Sequence, residues 1–317
     1  MLALASLLFA LVPMLLYLWG VWLMDRYDRE PVGLLLLHFG WGALGAIFFG
    51  IVFSITLSTT LGTSEFHDAV YIAPFTEELT KGLFLFWTVR DRRFDNITDG
   101  AVYGMAIGLG FGMTENFMYF LGASTAGEWV FLVVIRTLFT AVMHAMATGI
   151  FGAFMGLTKF GPPARRVPLR LLGLAMAMGM HFFWNFSVSI NNPAAAGLGV
   201  LFIVLSLIVI VVIVQLALLA ENRLLISELT EESESGLIPV THLQYLPYTN
   251  KRKLVGWLSP VVDRKQYVQI ATRLAFRRFQ SRSCQPEQQE SYQAEVERLR
   301  AEIRVLLQDD GDVETLY

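Results

Sequence analysis

Long apolar runs alternate with short polar loops along the first 220 residues of the chain. Seven of these runs are long enough to cross a bilayer, for which about 20 apolar residues are needed. Lipid offers no partners for backbone N–H and C=O groups, so each run is expected to form a helix. The approximate spans are 2–24, 33–57, 69–89, 99–122, 129–157, 169–190 and 196–220. The pattern predicts an all-α, polytopic membrane bundle of about seven transmembrane helices.

Basic residues occur in alternate loops between these spans. The first, third and fifth loops and the segment after the seventh span contain Arg26, Arg29, Arg90, Arg92, Arg93, Lys159, Arg165, Arg166, Arg170 and Arg223. The loops "STTLGTSEFHD", "GASTAGE" and "NNPAAAG" contain no Lys or Arg. Short loops rich in Lys and Arg stay in the cytoplasm. We therefore expect an integral membrane protein with its N-terminus outside and its C-terminus in the cytoplasm.

The chain becomes polar after residue 220, and residues 221–317 contain no run long enough to span. Two stretches, "QYVQIATRLAFRRF" and "YQAEVERLRAEIRVLL", show helical spacing of apolar residues and are separated by a breaker near Pro286. The sequence thus predicts a cytoplasmic helical tail, with disorder at "TEESESG" and at the acidic end. An apolar seam on the second helix packs on its neighbour or on a second copy; its residues are Val296, Leu299, Ile303 and Leu306.

The amino-acid composition excludes some kinds of function and of covalent structure. The 317 residues are 55 % hydrophobic and 16 % charged, and the net charge of −3 gives no reason to expect nucleic-acid binding. The single cysteine, Cys284, excludes an intrachain disulfide. The first apolar run lacks a basic start and a small-residue cleavage site and continues to Met24, so it is interpreted as a retained span.

Ionisable and amide side chains interrupt four consecutive spans. Such residues are costly in lipid, usually face the bundle interior and mark functional sites. They are Glu77, Glu78 and Lys81 in the third span, Glu115 in the fourth, His144 in the fifth, and His181 and Asn185 in the sixth. At about 1.5 Å per residue, most of them fall in the outer half of the bilayer. The pattern predicts one water-accessible polar site near the extracytoplasmic face.

Spacing within the spans indicates which of these residues share a helix face. Glu77 and Glu78 precede Lys81 by four and three residues, so either carboxylate can pair with the ammonium. His181 and Asn185 are also four apart and are expected to face the same cavity. Carboxylates, imidazoles, an amide and a cation can activate a water and stabilise an oxyanion. Two histidines with a carboxylate also form a common zinc site.

Structural and non-catalytic interpretations stand beside this one. Lys81 and its glutamates can be a neutralised pair that only fixes helix packing, and Arg136 near the outer interface is expected to snorkel outside the site. Buried Glu, His and Lys also form proton relays, so a proton- or ion-coupled transporter is an alternative, although no internal repeat supports it. A further alternative is a non-catalytic membrane scaffold whose tail binds a partner.

Glycines in the fourth span indicate close helix packing. Gly104, Gly108 and Gly112 recur every four residues, which is a small-residue packing pattern. No preceding soluble strand supports a dinucleotide-binding loop. This packing is expected to bring Glu115 and His144 together.

Three short motifs resemble a known family. They are "EELTK" at 77–81, "FGMTE" at 111–115 and "HFFWN" at 181–185. In this order, each on a span, they resemble the PrsW family of bacterial intramembrane proteases, whose pattern is EExxK, FxxxE and HxxxD. The stretch "DRYDREP" after the first span, and a histidine between the second and third motifs, are also similar. The resemblance covers roughly residues 20–190.

The resemblance implies that residues 1–220 form a protease-like bundle in the bacterial inner membrane, which hydrolyses membrane-anchored proteins near the extracytoplasmic side with glutamate-activated water. In the family, this role is the first cut of a membrane-anchored anti-sigma factor. The implied catalytic residues are Glu77, Glu78, Lys81, Glu115, His144, His181 and Asn185. A wider similarity connects the chain to CAAX prenyl endopeptidases and bacteriocin-processing membrane proteins.

Two expectations about the chemistry stay open at this stage. Glu115, His144 and His181 can hold a zinc ion, as in a metalloprotease, or the glutamates can activate water without metal, as in the prenyl endopeptidases. Position 185 is Asn where the family pattern has Asp, and an amide suits an oxyanion or substrate contact better than metal ligation. The expected partners are the lipid bilayer, a membrane protein or peptide substrate, and a second copy or another protein at the tail.

Overall fold

The computed structural model describes residues 1–284 and 286–314, and these are mostly helical. The longer helices are α1 (Leu2–Met24), α2 (Val32–Leu61), α3 (Ala73–Thr88), α4 (Ile97–Leu121), α5 (Ala126–Lys159), α6 (Pro163–Ser189), α7 (Pro193–Glu234), α8 (Arg264–Ser283) and α9 (Pro286–Glu314). Helices α1 to α7 follow the seven predicted spans in order. The described residues contain no β-strand, so the prediction of an all-α polytopic bundle is confirmed.

Five of these helices are long and apolar enough to cross a membrane: α1, α2, α5, α6 and α7. Helices α3 and α4 do not meet this criterion. α3 has 16 residues and contains three ionisable groups within five positions, which lowers its hydropathy. α4 is rich in glycine and includes Asp99 and Glu115. The chain is an integral membrane protein, and the exact count of seven spans stays a prediction.

The chain divides into two compact units. The first comprises residues 1–25 and 30–215, and the second comprises residues 26–29 and 216–317. The predicted division between residues 220 and 221 lies close to the end of the first unit. Every residue of the predicted polar site belongs to the first unit.

Helix α4 lies in the interior of the first unit, and every residue from Thr98 to Gly112 is buried. Its glycines allow backbone contact with α5: a Cβ atom on Gly104 would lie 2.2 Å from the carbonyl oxygen of Thr148. A Cβ atom on Gly108 would lie 2.2 Å from the carbonyl oxygen of His144. No side chain fits at such distances, so the predicted small-residue packing is confirmed.

Within the described part of the chain, three helical segments contain a π-helical turn, in which backbone hydrogen bonds reach one residue further than in an α-helix. These turns are Trp41–Ala46 within α2, Asp68–Ile72 just before α3, and Arg136–Thr140 within α5. Two hydroxyl groups of neighbouring helices donate to carbonyl oxygens of the first turn. Thr114 on α4 donates to Ala43 (2.7 Å), and Thr80 on α3 donates to Ala46 (3.1 Å). An irregular turn leaves backbone carbonyls without their helical hydrogen bonds. In lipid, side-chain donors such as these satisfy them.

The second unit has its own hydrophobic core, in which α8 and α9 pack against each other. Two 3-10 turns, Val240–Gln244 and Lys251–Lys253, precede α8. Residues of the predicted seam contribute to this core: Val296, Leu299 and Ile303 are buried, and Leu306 packs against them. The seam therefore packs within its own chain, so it does not support self-association.

The predicted disorder at "TEESESG" is not observed, because α7 continues to Glu234. Arginines of α8 compensate the acidic side chains there. Arg278 lies 2.9 Å from Glu232 and 2.7 Å from Glu231, and Arg282 lies 2.8 Å from Glu228. The other predicted disordered stretch, the acidic end, falls on residues 308–317. Their side chains, and the backbone from residue 315 onward, lie outside the described part of the chain.

Candidate active site

Side chains from four helices form one buried polar cluster, with Lys81 of α3 at its centre. Its Nζ donates to Glu78 Oε1 (2.8 Å) and to His144 Nδ1 (2.9 Å). It lies 3.6 Å from Glu77 Oε2 and 3.8 Å from the centre of the Phe111 ring. The Lys81 side chain is fully buried, so its charge is balanced by these contacts rather than by water. The predicted pairing of Lys81 with its glutamates is therefore only part of a larger network.

His144 of α5 connects Lys81 to Glu115 of α4. An ammonium group can only donate, so His144 Nδ1 accepts and the ring proton is on Nε2. That proton is donated to Glu115 Oε2, 2.8 Å away. The expectation that helix packing brings Glu115 and His144 together is confirmed.

His181 of α6 faces both glutamates of α3. Its Nδ1 is 3.0 Å from Glu78 Oε1 and donates to that carboxylate. The lone pair is then on Nε2, which lies 3.9 Å from Glu77 Oε2. Thr148 of α5 donates a further hydrogen bond to Glu78 Oε2 (3.1 Å). Glu78 therefore has three donors, and it fixes the orientation of the His181 ring.

Glu77 differs from its neighbour in both contacts and exposure. The Glu77 side chain is 14 % exposed, against 1 % for Glu78. Its buried Oε2 atom accepts no hydrogen bond within the described part of the chain. The Glu115 side chain is 16 % exposed, whereas His144 and His181 are buried. The open side of the cluster is therefore the side of Glu77 and Glu115.

Arg136 of α5 belongs to the site, which the sequence analysis missed. Its Nη2 lies 2.7 Å from Glu115 Oε2, and its Nε donates to Asn116 Oδ1 (3.1 Å). The guanidinium also stacks 3.6 Å above the ring of Tyr119. The expected snorkelling is wrong because an ionised carboxylate is available inside the bundle. Arg136 precedes His144 by two helical turns, and that spacing on one face was the available signal.

Asn185 is the one predicted site residue that turns away from the cluster. Its Nδ2 donates to the carbonyl oxygen of Ala69 (2.8 Å), in the π-helical turn before α3. Among the described residues, no hydrogen bond joins Asn185 to the carboxylates or imidazoles. It satisfies an irregular backbone segment and thereby positions the start of α3.

The residues that could hold a metal ion are Glu77, His144 and His181, whose donor atoms lie within 4.8 Å of one another. Two imidazole nitrogens and one carboxylate are a common zinc set. The free Glu77 Oε2 and the His181 Nε2 lone pair fit this role, while His144 Nδ1 is held by Lys81. Glu115, predicted as a ligand, pairs instead with Arg136 and His144. The donor set fits a metal provided that one ring nitrogen of His144 is released, either Nδ1 from Lys81 or Nε2 from Glu115.

Comparison with known proteins identifies relatives over the same region. A family model described as "PrsW family intramembrane metalloprotease" matches residues 30–216, more than half of the chain. The Protease PrsW of Bacillus subtilis is 30% identical over 158 residues, which are 49% of this chain and 69% of that protein. The Protease PrsW of Geobacillus kaustophilus is 31% identical over 150 residues, 46% of this chain and 63% of that protein. No solved structure matches.

The matched region includes α2 to α6 and therefore every residue of the cluster. The resemblance seen in the three motifs is confirmed over this longer region, and the relatives carry the same protease name. The chain therefore belongs to the PrsW family of intramembrane metalloproteases.

Proposed function

We propose that the polar cluster is a hydrolytic centre that cuts membrane-anchored proteins, and that Glu77 is the carboxylate that activates the water. One observation carries this assignment: Glu77 Oε2 accepts no hydrogen bond among the described residues, whereas Glu78 accepts three. A buried acceptor without a donor is costly unless water or an ion binds there. Glu77 is thus available for chemistry, and Glu78 orients its neighbours.

The separation of two acceptors supports a bound water. Glu77 Oε2 and His181 Nε2 are 3.9 Å apart. One water that donates to two acceptors at ordinary hydrogen-bond lengths spans about 4.5 Å. A small adjustment therefore lets one water donate to both, which directs its oxygen lone pairs at a carbonyl carbon. Glu77 would take the proton as the water attacks.

Positive charge on the open side of the cluster supports the proposed addition of water to a carbonyl group. Arg136 lies beside Glu115 and its side chain is 11 % exposed. A guanidinium at this position can stabilise the oxyanion that forms when water adds to the carbonyl. Lys81 is fully buried, so its role is to hold Glu78 and His144 in position.

The family description implies a metal ion, and the donor atoms fit one. With such an ion bound, Glu77, His144 and His181 would hold it, so Glu77 would serve as a ligand rather than as the base, and the ion would polarise the scissile carbonyl and acidify the water. Glu78 would then serve as the carboxylate that orients a ligating histidine, a common arrangement around metal sites.

The charges of the loops allow us to propose the orientation of the protein in the membrane and the side on which its substrate is cut. With basic loops in the cytoplasm, the N-terminus is outside and the C-terminal tail is inside. Glu77 and Glu78 lie near the start of α3, which is then its extracytoplasmic end. A membrane-anchored anti-sigma factor cut on that side fits this arrangement.

Cleavage of a single-span substrate by the purified protein tests the assignment. Glu77→Gln keeps the size of the side chain but removes the base, and we expect cleavage to fall by about 10²-fold or more. Glu65→Gln, at an exposed site on the same side, is the matched control and should cleave normally. Cleavage that is unchanged in Glu77→Gln would reject this role. Flux of protons through proteoliposomes, lost in Glu115→Gln, would instead favour a transporter.

A further inference from the structure

Residues 251–256 of the second unit form a loop with exposed apolar side chains, which we call the tip loop. Leu254 is 53 % exposed and Val255 is 94 % exposed, whereas Trp257 beside them is buried in the core of this unit. Gly256 has a φ of 88°, in the left-handed region that favours glycine, and it lets the chain turn from the exposed Val255 to the buried Trp257. Exposed apolar groups rimmed by polar residues mark interaction sites.

Hydrogen bonds hold the tip loop in this exposed conformation. Arg264 Nη1 donates to the carbonyl oxygen of Leu254 (2.9 Å), and Trp257 Nε1 donates to that of Arg252 (3.4 Å). The Arg252 guanidinium is in turn held by Thr272, to whose Oγ1 its Nη2 donates (3.0 Å). Because both ends of the loop are fixed, its apolar side chains do not fold back onto the core.

The tip loop also lies within a basic stretch of the tail. Residues 240–265 contain five basic residues and one acidic residue, although the net charge of the chain is −3. The basic residues are Lys251, Arg252, Lys253, Arg264 and Lys265. Lys251 and Lys253 are exposed, and among the described residues neither has a carboxylate partner. Lys251 Nζ instead lies 4.5 Å from the centre of the Tyr248 ring. The lysines are therefore available for an anionic partner.

Two contacts within the second unit place this stretch close to the ends of membrane-spanning helices. Asn222 Nδ2 donates to the carbonyl oxygen of Pro247 (2.6 Å), and the apolar run of α7 ends at residue 220, just before Asn222. The guanidinium of Arg252 lies 5.5 Å from the centre of the Tyr27 ring, and Tyr27 follows the end of α1 at Met24. The segment that leads into the tip loop is thus attached where the chain leaves the lipid.

We infer that the tip loop docks the tail on anionic phospholipid headgroups. Leu254 and Val255 would insert at the boundary between headgroups and acyl chains, and Lys251 and Lys253 would contact the phosphates. In the orientation proposed above, this is the cytoplasmic leaflet. A second copy of the loop fits less well because it would bring like charges together. The inference does not depend on the proposed catalytic function.

Fluorescence of a single labelled cysteine tests the docking in the full chain. Cys284→Ser removes the native thiol, and Val255→Cys carries an environment-sensitive nitrobenzoxadiazole dye. A single copy is placed in each lipid nanodisc, made of phosphatidylcholine alone or with phosphatidylglycerol added, and doxyl-labelled lipids quench inserted dye. The control is Val305→Cys on α9, which is 62 % exposed.

We expect blue-shifted emission at position 255, with quenching at least about threefold stronger when phosphatidylglycerol is present. Emission at position 305 should stay solvent-like in both lipids. Equal quenching at the two positions, or equal quenching with and without phosphatidylglycerol, overturns the inference. Blue-shifted emission at position 255 that the doxyl lipids do not quench also overturns it, because protein rather than lipid would then cover the loop.

Removing the two lysines tests the contact with the headgroups. Lys251→Gln and Lys253→Gln are combined in the protein labelled at position 255. We expect the ratio of docked to free loop to fall by about tenfold or more. The matched control combines Arg298→Gln and Arg304→Gln, which removes the same charge from exposed positions of α9 and should leave the ratio unchanged. Equal ratios in the two variants overturn the inference, and unchanged emission at position 305 shows that the tail keeps its fold.

Discussion

Glu77 and Glu78 are neighbours in the sequence, and contacts from other helices give them different surroundings. They lie four and three residues before Lys81, and both spacings allow an ion pair with it. The sequence therefore could not show which glutamate makes which contacts. Thr148 and His181 donate to Glu78 only, and these contacts come from α5 and α6. The residue types of the site were predictable because charge in an apolar run is unusual. Their individual contacts depend on helix rotation, which spacing alone does not determine.

Lys81 occupies His144 Nδ1, one of the two ring nitrogens through which this histidine could bind a metal ion. Lys81→Met keeps the length of the side chain, frees this nitrogen and removes a positive charge. Two unit charges about 4 Å apart repel by about 4 kcal/mol at an effective dielectric constant of about 20. We expect zinc affinity to rise by at least about tenfold, which requires only about 1.4 kcal/mol. Competition with a chromogenic chelator measures it in purified protein.

The matched control for this measurement is Lys265→Met in the tail, at an exposed position. Its zinc affinity should equal that of the unmodified protein. An affinity that stays the same in Lys81→Met would show that the ammonium does not occupy the position of the metal.

Arg136 neutralises Glu115 inside the bundle, so removing it should destabilise the protein. Arg136→Met leaves a largely buried carboxylate with His144 as its remaining partner, and loss of one member of a buried pair costs about 3–5 kcal/mol. We expect a lower Tm in detergent. The double variant Arg136→Met with Glu115→Gln should recover most of the Tm but not cleavage. A Tm that falls further in the double variant contradicts this pairing.

At the scale of helices and turns, the sequence predicts the succession of helices along the chain but not the irregular turns within them. The apolar runs predicted α1 to α7 in sequence, because each run satisfies its own backbone in lipid. The π-helical turns at 41–46, 68–72 and 136–140 were not predictable. Side chains from distant parts of the chain satisfy carbonyls in two of them.

Asn185 illustrates how such a turn depends on a remote donor. Its amide donates to the carbonyl of Ala69, and an ionised Asp, the residue of the family pattern, has no proton to donate. Asn185→Asp should therefore loosen residues 68–76 without altering the imidazoles. Hydrogen–deuterium exchange should show faster exchange there, together with a several-fold loss of cleavage.

The control is Asn192→Asp, because the Asn192 side chain accepts a hydrogen bond from the backbone of Ala194, and Asp accepts equally well. Exchange in that loop should stay the same. If Asn185→Asp leaves exchange at 68–76 unchanged, the bond to Ala69 does not position α3.

On the scale of the whole molecule, the catalytic residues and the tail belong to different compact units. The polarity change near residue 220 was visible in the sequence, since hydrophobic runs end there. What the tail packs against was not visible, because its seam suited either its own chain or a second copy. The family match covers residues 30–216 and does not extend into the tail.

This division leads to a prediction about a chain that ends after residue 220. The residues of the cluster lie in the first unit, and among the described residues its hydrophobic cores contain none from the tail. We expect the shortened protein to keep its cluster and to cleave within about threefold of the full chain, as measured with the same substrate in proteoliposomes. Residues 26–29 belong to the second unit and would lose their partners there, so a small drop in Tm is expected. Loss of cleavage with an unchanged Tm would assign the tail a direct part in catalysis, because folding of the bundle would then be intact.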